Sequence, residues 1–393
     1  MRPFTKLVAF DPAPGDPVRP VATPIYQTAT FDQESASEFS RYDYSRSGNP
    51  TRDVLESLVA SLEGASRALS YASGLAAITA VTRLLKPGDE IIASDDLYGG
   101  SYRLFSRVLA DRGVTTRYID LTSATQLRAE IANKTKLVFT ESLTNPMLRV
   151  CPVRELADVS HASGALLCVD STSLSPYLHR PIEHGADLVI HSATKYLCGH
   201  SDVTAGVLAI ADAELAEKLK FLQNAEGVAL GPFDAFLLLR GIKTLGVRIE
   251  HQQRSAARIA RTLARHPSVT AVHFPGLATD DQRVVHERQA SGPGAVLSFE
   301  TGSAEVSRWI VESLKLFNIA VSFGGVNSSA SLPWCMSHSS IPEPVRATKR
   351  FPPDLVRLSI GLEDPQDLID DLAHAIARVT GVQAEPKAVE SLT

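Results

Sequence analysis

Seven short apolar runs, at positions 67–71, 90–93, 115–119, 137–140, 166–170, 188–191 and 205–210, recur along the first half of the chain and alternate with longer helix-like stretches. Runs this short and rich in Val, Ile and Leu read as strands covered on both faces. Strands that alternate with helices pair mainly in parallel, so this spacing predicts an α/β fold built on a seven-stranded, mostly parallel sheet. A helical pattern starts at Pro50, with Leu55, Leu58, Val59 and Leu62 on one face. The stretch 221–259 reads as mostly helical and leads to a smaller α+β part, in which 270–274, 295–300 and 355–360 read as strands and 303–314 and 365–379 as helices. Pro3, Pro12, Pro14, Pro17, Pro20 and Pro24 make the opening better suited to an extended arm than to a core element. The expected organisation is an N-terminal arm (1–45), a large α/β domain (46–240), a small C-terminal α+β domain (241–381) and a frayed tail (382–393).

A chain of 393 residues can bury a large core shared by two domains. Thirty-nine basic against 44 acidic side chains give a formal charge of −5 with no basic block, which argues against nucleic acid or an anionic membrane as partner and for a small molecule. Cys151, Cys168, Cys198 and Cys335 show neither a C-x-x-C pair nor metal-like spacing and read as reduced thiols. Residues 1–10 lack a secretory pattern, and no apolar run approaches the ~18 residues of a membrane span. The expected location is cytoplasmic, or an organelle if a transit peptide has been removed. The 11 histidines form no H-x-x-x-H pattern, and no metal is expected.

The chemistry concentrates in His191-Ser-Ala-Thr-Lys195-Tyr-Leu-Cys-Gly-His-Ser-Asp202. A lysine just after two hydroxyl residues and just before a glycine turn suits pyridoxal 5'-phosphate: the Lys195 amine condenses with the cofactor aldehyde, and Ser192 and Thr194 bind its phosphate. The 166–170 run ends in Asp170, and a carboxylate at a strand's C-terminal end sits where ligands bind. There Asp170 would hold the pyridine nitrogen protonated, so that the ring accepts electrons. Read alone, Asp170 equally suits a helix N-cap before Ser171 and Thr172. Ser73-Gly74-Leu75 follows one strand and opens a helix, turning backbone N–H groups and the positive helix end toward a phosphate.

These motifs resemble the Cys/Met-metabolism family of pyridoxal-phosphate enzymes over 23–377. Tyr44-Ser-Arg46-Ser-Gly-Asn-Pro-Thr51 is similar to the family's Y-S-R-x-x-N-P-T, Asp95-Asp-Leu-Tyr98-Gly-Gly100 to its ring-stacking tyrosine, and Glu141-Ser-Leu-Thr-Asn145-Pro146 to its E-x-x-T-N-P. The C-terminal half, through stretches such as Phe221-Leu-Gln-Asn-Ala-Glu-Gly227 and Ile319-Ala-Val-Ser-Phe-Gly324, most resembles plant-type cystathionine β-lyases. The resemblance implies a large domain of the PLP-dependent transferase-like kind (fold type I). It implies that Tyr98 stacks on the cofactor ring, that Asn145 binds the ring's phenolic oxygen, and that Tyr44 and Arg46 reach the phosphate of a neighbouring protomer. Such sharing belongs to a homotetramer arranged as a dimer of dimers. Glu141 and Asn145 could equally cap the helix that follows. Arg357 matches the family's arginine for the substrate carboxylate, with Ser328 assisting through its backbone or hydroxyl.

The implied activity is carbon–sulfur β-elimination on L-cystathionine, with Lys195 as base and Tyr98 and Tyr44 as further catalytic candidates. γ-Elimination, γ-replacement, or cleavage of another cysteine S-conjugate are the alternatives. Two departures stand out. Ser171 follows Asp170 where the family usually has Asn, and Asn327 sits where many γ-type members carry a glutamate for the substrate's distal amine, which weakens the γ readings.

Overall fold

The computed structural model describes residues 1–339, 341–347 and 351–382. Its larger sheet holds β1 (Arg67–Tyr71), β2 (Glu90–Ser94), β3 (Thr115–Ile119), β4 (Thr135–Glu141), β5 (Leu166–Asp170), β6 (Leu188–Ser192) and β7 (Gly206–Ile210), in the order β1-β7-β6-β5-β4-β2-β3. Only β7 runs against its neighbours, β1 and β6. Ile91, Ile92, Val138, Phe139, Leu167, Val189, Ile190 and Leu208 are all fully buried in the middle of the sheet. Each contributes about 2 kcal/mol by leaving water, which explains why these strands read as unbroken apolar runs. β3 departs from the expectation of cover on both faces. It is an edge strand, Thr115 is exposed, and Thr116, Arg117 and Tyr118 are half-buried. Edge positions accept polar side chains that a central strand would have to pair.

A five-stranded sheet holds β8 (Ala271–His273), β9 (Val296–Glu300), β10 (Asn318–Ile319), β11 (Ser329–Ser331) and β12 (Val356–Ser359), in the order β10-β11-β12-β9-β8. All seven strands of the larger sheet fall within 46–240 and all five of the smaller within 241–381. The helices Ala213–Glu226, Pro232–Ile242 and Leu245–Ala264 run between the sheets in sequence. β10, β11 and the helix Asp281–Gln289 were not expected from the sequence.

The opening is not wholly extended. α1 (Pro3–Val8) starts on Pro3, whose missing N–H costs nothing in a first helical turn. It buries Leu7, and its Phe4 ring meets Tyr177 edge-on at 5.3 Å. The proline count pointed to an arm, but one turn and a half of helix is enough to bury a leucine. α2 (Pro50–Glu63) follows the predicted pattern. Asn49 Oδ1 accepts from the Thr51 and Arg52 amides, and Gly64 ends the helix in the left-handed region at φ 73°. Such a cap is worth about 1 kcal/mol. Of the expected frayed tail, 383–393 lie outside the described residues, and among those described no helix is long and apolar enough to cross a membrane.

Candidate active site

The C-terminal ends of β4, β5 and β6 open side by side into one cavity. Glu141 and Asp170 occupy paired register positions on β4 and β5, and Ser192 ends β6. The lining includes Ser73, Gly74, Leu75, Tyr98, Glu141, Asn145, Asp170, Thr172, Ser192, Thr194, Lys195, Val321, Phe323, Ser337 and Arg357. Eleven of the fifteen residues singled out in the sequence therefore meet in one place, from positions 73 to 357.

Ser73 and Gly74 shape one end. The Ser73 hydroxyl accepts from the Ala76 amide at 3.1 Å and caps α3 (Gly74–Thr82), leaving the first amides of that helix facing the cavity without partners inside the helix. A side chain on Gly74 would place its Cβ 2.7 Å from Ser192 Cβ and 2.9 Å from Ser192 Cα, so only glycine lets α3 sit this close to β6. Thr194 lines the cavity, but its hydroxyl is engaged on both sides by Ala205, donating to the carbonyl at 3.2 Å and accepting from the amide at 3.0 Å. A direct phosphate bond from Thr194 would compete with that pair.

At the other end of the sheet edge, Asp170 Oδ1 accepts from the Thr172 amide at 3.0 Å and from the Thr172 hydroxyl. The same hydroxyl accepts from the Ser192 amide at 2.8 Å. Thr172 thus ties the β5 carboxylate to the β6 end, a role sequence reading had missed. Burial pushes the Asp170 carboxyl upward, and Thr172 offsets part of that shift. Burial, with the Asp170 charge nearby, holds Glu141 well above the usual carboxylate range, while the Tyr98 amide donates to Glu141 Oε1 at 2.8 Å. Glu141 and Asp170, side by side at the ends of β4 and β5, give the site a pair of buried carboxyl groups that suits a positive ring nitrogen.

Lys195 sits between the two sheets. Its Nζ donates to Ser322 Oγ at 2.5 Å and stands 5.4 Å from the Phe323 ring centre. Burial, then the Arg357 charge, lowers its pKa from 10.5 to about 8. Arg357, on β12 and 3 % exposed, gives Nη1 to Asn145 Oδ1 at 2.8 Å and has its guanidinium 5.5 Å from the same Phe323 ring. Its Nη2 has no hydrogen-bond partner among the described residues. An orphaned buried guanidinium nitrogen costs on the order of 1–3 kcal/mol, a cost that a ligand carboxylate removes.

Four expected residues lie elsewhere. Ser328 is fully buried, but its amide and hydroxyl bind the two Glu363 carboxylate oxygens at 2.7 and 2.8 Å, away from the cavity. Asn327 is exposed and does not line the cavity. The loop 321–325 between β10 and β11 presents Ser322 and Phe323 in their place. Gly324 explains why: at φ 83° it packs where a Cβ would lie 2.8 Å from the Tyr196 amide, so the 321–325 loop lies directly on the lysine's backbone. The sequence held this signal, the glycine pair Gly324-Gly325 three to four residues before Ser328, but nothing in it said which serine faced the lysine. Tyr44 and Arg46 also stand outside this chain's cavity. Arg46 gives Nη1 to Asn224 O at 2.8 Å and lies over the Tyr44 ring at 5.5 Å.

The residues present fit pyridoxal phosphate: a glycine-dependent helix start for an anion, a buried carboxylate for a ring nitrogen, a lysine with a depressed pKa, and an arginine with one guanidinium nitrogen unpaired. Comparison with known proteins agrees. The chain is 52% identical over 357 residues to the chloroplastic cystathionine beta-lyase of Arabidopsis thaliana, spanning 91% of this chain and 77% of that one. It is 47% identical over 358 residues to cystathionine gamma-lyase of Dictyostelium discoideum, spanning 91% and 92%. The structure of cystathionine gamma-lyase from Lactobacillus plantarum complexed with L-serine superposes with a TM-score of 0.94 at 36% identity, covering 96% of this chain and 99% of that one. Residues 5–377 match the family described as Cys/Met metabolism PLP-dependent enzyme, a match that begins before the 23 expected from the motifs, and the chain belongs to that family.

Proposed function

We propose that the protein is a carbon–sulfur lyase that carries out β-elimination on L-cystathionine, giving homocysteine, pyruvate and ammonia. The observation that carries this reading is the convergence of the Lys195 amine and the unpaired Arg357 Nη2 on one cavity, both set against the Phe323 ring. That geometry suits an α-amino acid held by its carboxylate with Cα turned to the lysine. Pyridoxal 5'-phosphate, held by the α3 start, Asp170, Asn145 and Tyr98, supplies the electron sink for charge developing at Cα.

Within the chain, Arg357 binds and orients the substrate carboxylate through its free nitrogen while Asn145 keeps the guanidinium in place. Lys195 Nζ, whose pKa burial and Arg357 bring down to about 8, takes the proton from Cα in its unprotonated form. Ser322 Oγ accepts from that nitrogen and holds it on one side of the cavity. The Phe323 ring stands beside both groups, 5.4 Å from Lys195 Nζ and 5.5 Å from the Arg357 guanidinium, and shields them from water. The Cβ thiolate then leaves and takes up a proton to become homocysteine, and water hydrolyses the remaining three-carbon enamine to pyruvate and ammonia. Among the described lining residues the only acids are Glu141 and Asp170. The 52% identity to a cystathionine beta-lyase, against 47% to a cystathionine gamma-lyase, favours β- over γ-elimination.

Tyr44 and Arg46 we assign to the phosphate of a neighbouring copy, within a homotetramer made of two such dimers. In support, both lie at the surface of this chain, Tyr44 being 42 % exposed. The cytosol, or an organelle lumen kept reducing, suits four cysteines that stay unpaired. Steady-state assays on L-cystathionine that separate pyruvate from 2-oxobutyrate test the reaction: pyruvate as the main keto acid is expected, and 2-oxobutyrate in its place would mean γ-elimination. Lys195→Ala should lower turnover more than ~1,000-fold with the fold intact by circular dichroism.

A further inference from the structure

Directly behind the two cavity carboxylates lies a closed polar cluster that the reaction above does not use. Ser142 follows Glu141 and Ser171 follows Asp170. Both serines are fully buried and turned away from the cavity that their neighbours line. Their hydroxyls lie 2.9 Å apart, and the His179 Nδ1 stands 2.9 Å from Ser142 Oγ and 3.3 Å from Ser171 Oγ. The two strand ends are also joined through the backbone, the Ser142 amide donating to the Asp170 carbonyl at 3.0 Å.

His179 is 1 % exposed and arrives from the short helix Ser175–Leu178, its own amide donating to Ser175 O at 3.1 Å. Burial drives its imidazole well below the ordinary range, so the ring is neutral, with one N–H and one bare nitrogen. Nε2 has no partner among the described residues. A buried N–H without an acceptor is far less tolerable than a bare lone pair, which puts the hydrogen on Nδ1 and makes the ring a donor to Ser142 Oγ. The Ser142 hydroxyl then donates to Ser171 Oγ. The result is a one-way chain from ring to β4 end to β5 end.

We propose that His179 is a positioning residue: by binding Ser142 and Ser171 from behind, it sets the spacing of Glu141 and Asp170 and hence the seat of the cofactor ring. This rests on the cofactor reading above. The ring touches neither substrate nor cofactor, so it acts only through the two carboxylates. Substrate carboxylate binding, which belongs to Arg357 on the other sheet, is left alone.

The test uses holoenzyme of His179→Ala, Ser142→Ala and the double variant His179→Ala/Ser171→Asn, whose longer amide can reach the Ser142 hydroxyl without the ring. Three quantities are read: the position of the bound cofactor's visible absorption band, kcat, and KM. Each single variant should move the band and lower kcat about tenfold with KM changed less than about twofold, and the double variant should recover most of both. An unmoved band and unchanged kcat in both single variants, with only the melting temperature lowered, would reduce His179 to packing and overturn the proposal. If His179→Ala does not fold, Ser142→Ala, which deletes a single buried oxygen, decides alone. A wild-type protein that binds no cofactor and shows no band would instead sink the underlying reading, so the two failures are distinguishable.

Discussion

The two walls of the cavity are built by different rules. On the large-sheet wall, Glu141, Asp170, Ser192 and Lys195 stand at or just after the ends of adjacent strands, and each is placed by the strand that precedes it. On the small-sheet wall, Arg357 comes from the middle of β12, and Ser322 and Phe323 from a loop that belongs to no strand. The first wall is local chemistry repeated by a parallel sheet. The second exists only because the 321–325 loop rests on the Lys195–Tyr196 backbone. The difference teaches that the large-sheet residues of the cavity are held by topology and the small-domain residues by packing against them.

The sharpest break of that division is Arg357→Lys. An ammonium cannot bind a carboxylate with two parallel bonds and also hold Asn145, so kcat/KM should fall about 100-fold, about 2.7 kcal/mol, chiefly through KM. The cofactor absorption band should stay where it is. A shifted band would mean that the two walls do not act separately.

A tenfold effect per pH unit comes next, from Lys195. Burial and Arg357 bring its amine to about 8, and only the neutral amine attacks an aldehyde. Stopped-flow uptake of pyridoxal phosphate by apoenzyme should therefore slow about tenfold for each pH unit below 8 and level off above it. Arg357→Gln removes the second cause of the shift, so its midpoint should move upward. An unmoved midpoint would leave burial as the sole cause.

The smallest effects sharpen the substrate wall. Ser322→Ala removes the acceptor of the lysine proton and should lower kcat/KM a few-fold, with stability changed by less than ~0.5 kcal/mol. Ser328→Ala strips Glu363 of a buried donor and leaves the Gly361 amide unbound, so it should cost about 1–3 kcal/mol in urea unfolding with kinetics unchanged. Reversed outcomes would return Ser328 to the substrate.

Much of this was legible in residues. Leu166 to Asp170 announced both a buried strand and its acidic end, because an uninterrupted apolar run that stops at a carboxylate has few other readings. β10 and β11, two and three residues long, were invisible, since a strand that short shows no period. The helix Asp281–Gln289 was hidden by its charge, with only two aliphatic residues, Val284 and Val285, to mark a face. α1 was masked by the prolines around it. Arg357 was found through a family pattern and Ser322 was not, because two serines six residues apart in a glycine-rich loop differ only in what they meet after folding.

By itself, the sequence determined the seven strands of the large sheet and the lysine and aspartate at their ends, because each is encoded within a few residues of a strand end, and a family pattern added Arg357. Tertiary structure alone decided which serine faces Lys195, that Thr172 links Asp170 to Ser192, and that His179 backs both carboxylates. Those facts depend on contacts between segments that only close packing brings within hydrogen-bond reach, and no local pattern carries that information.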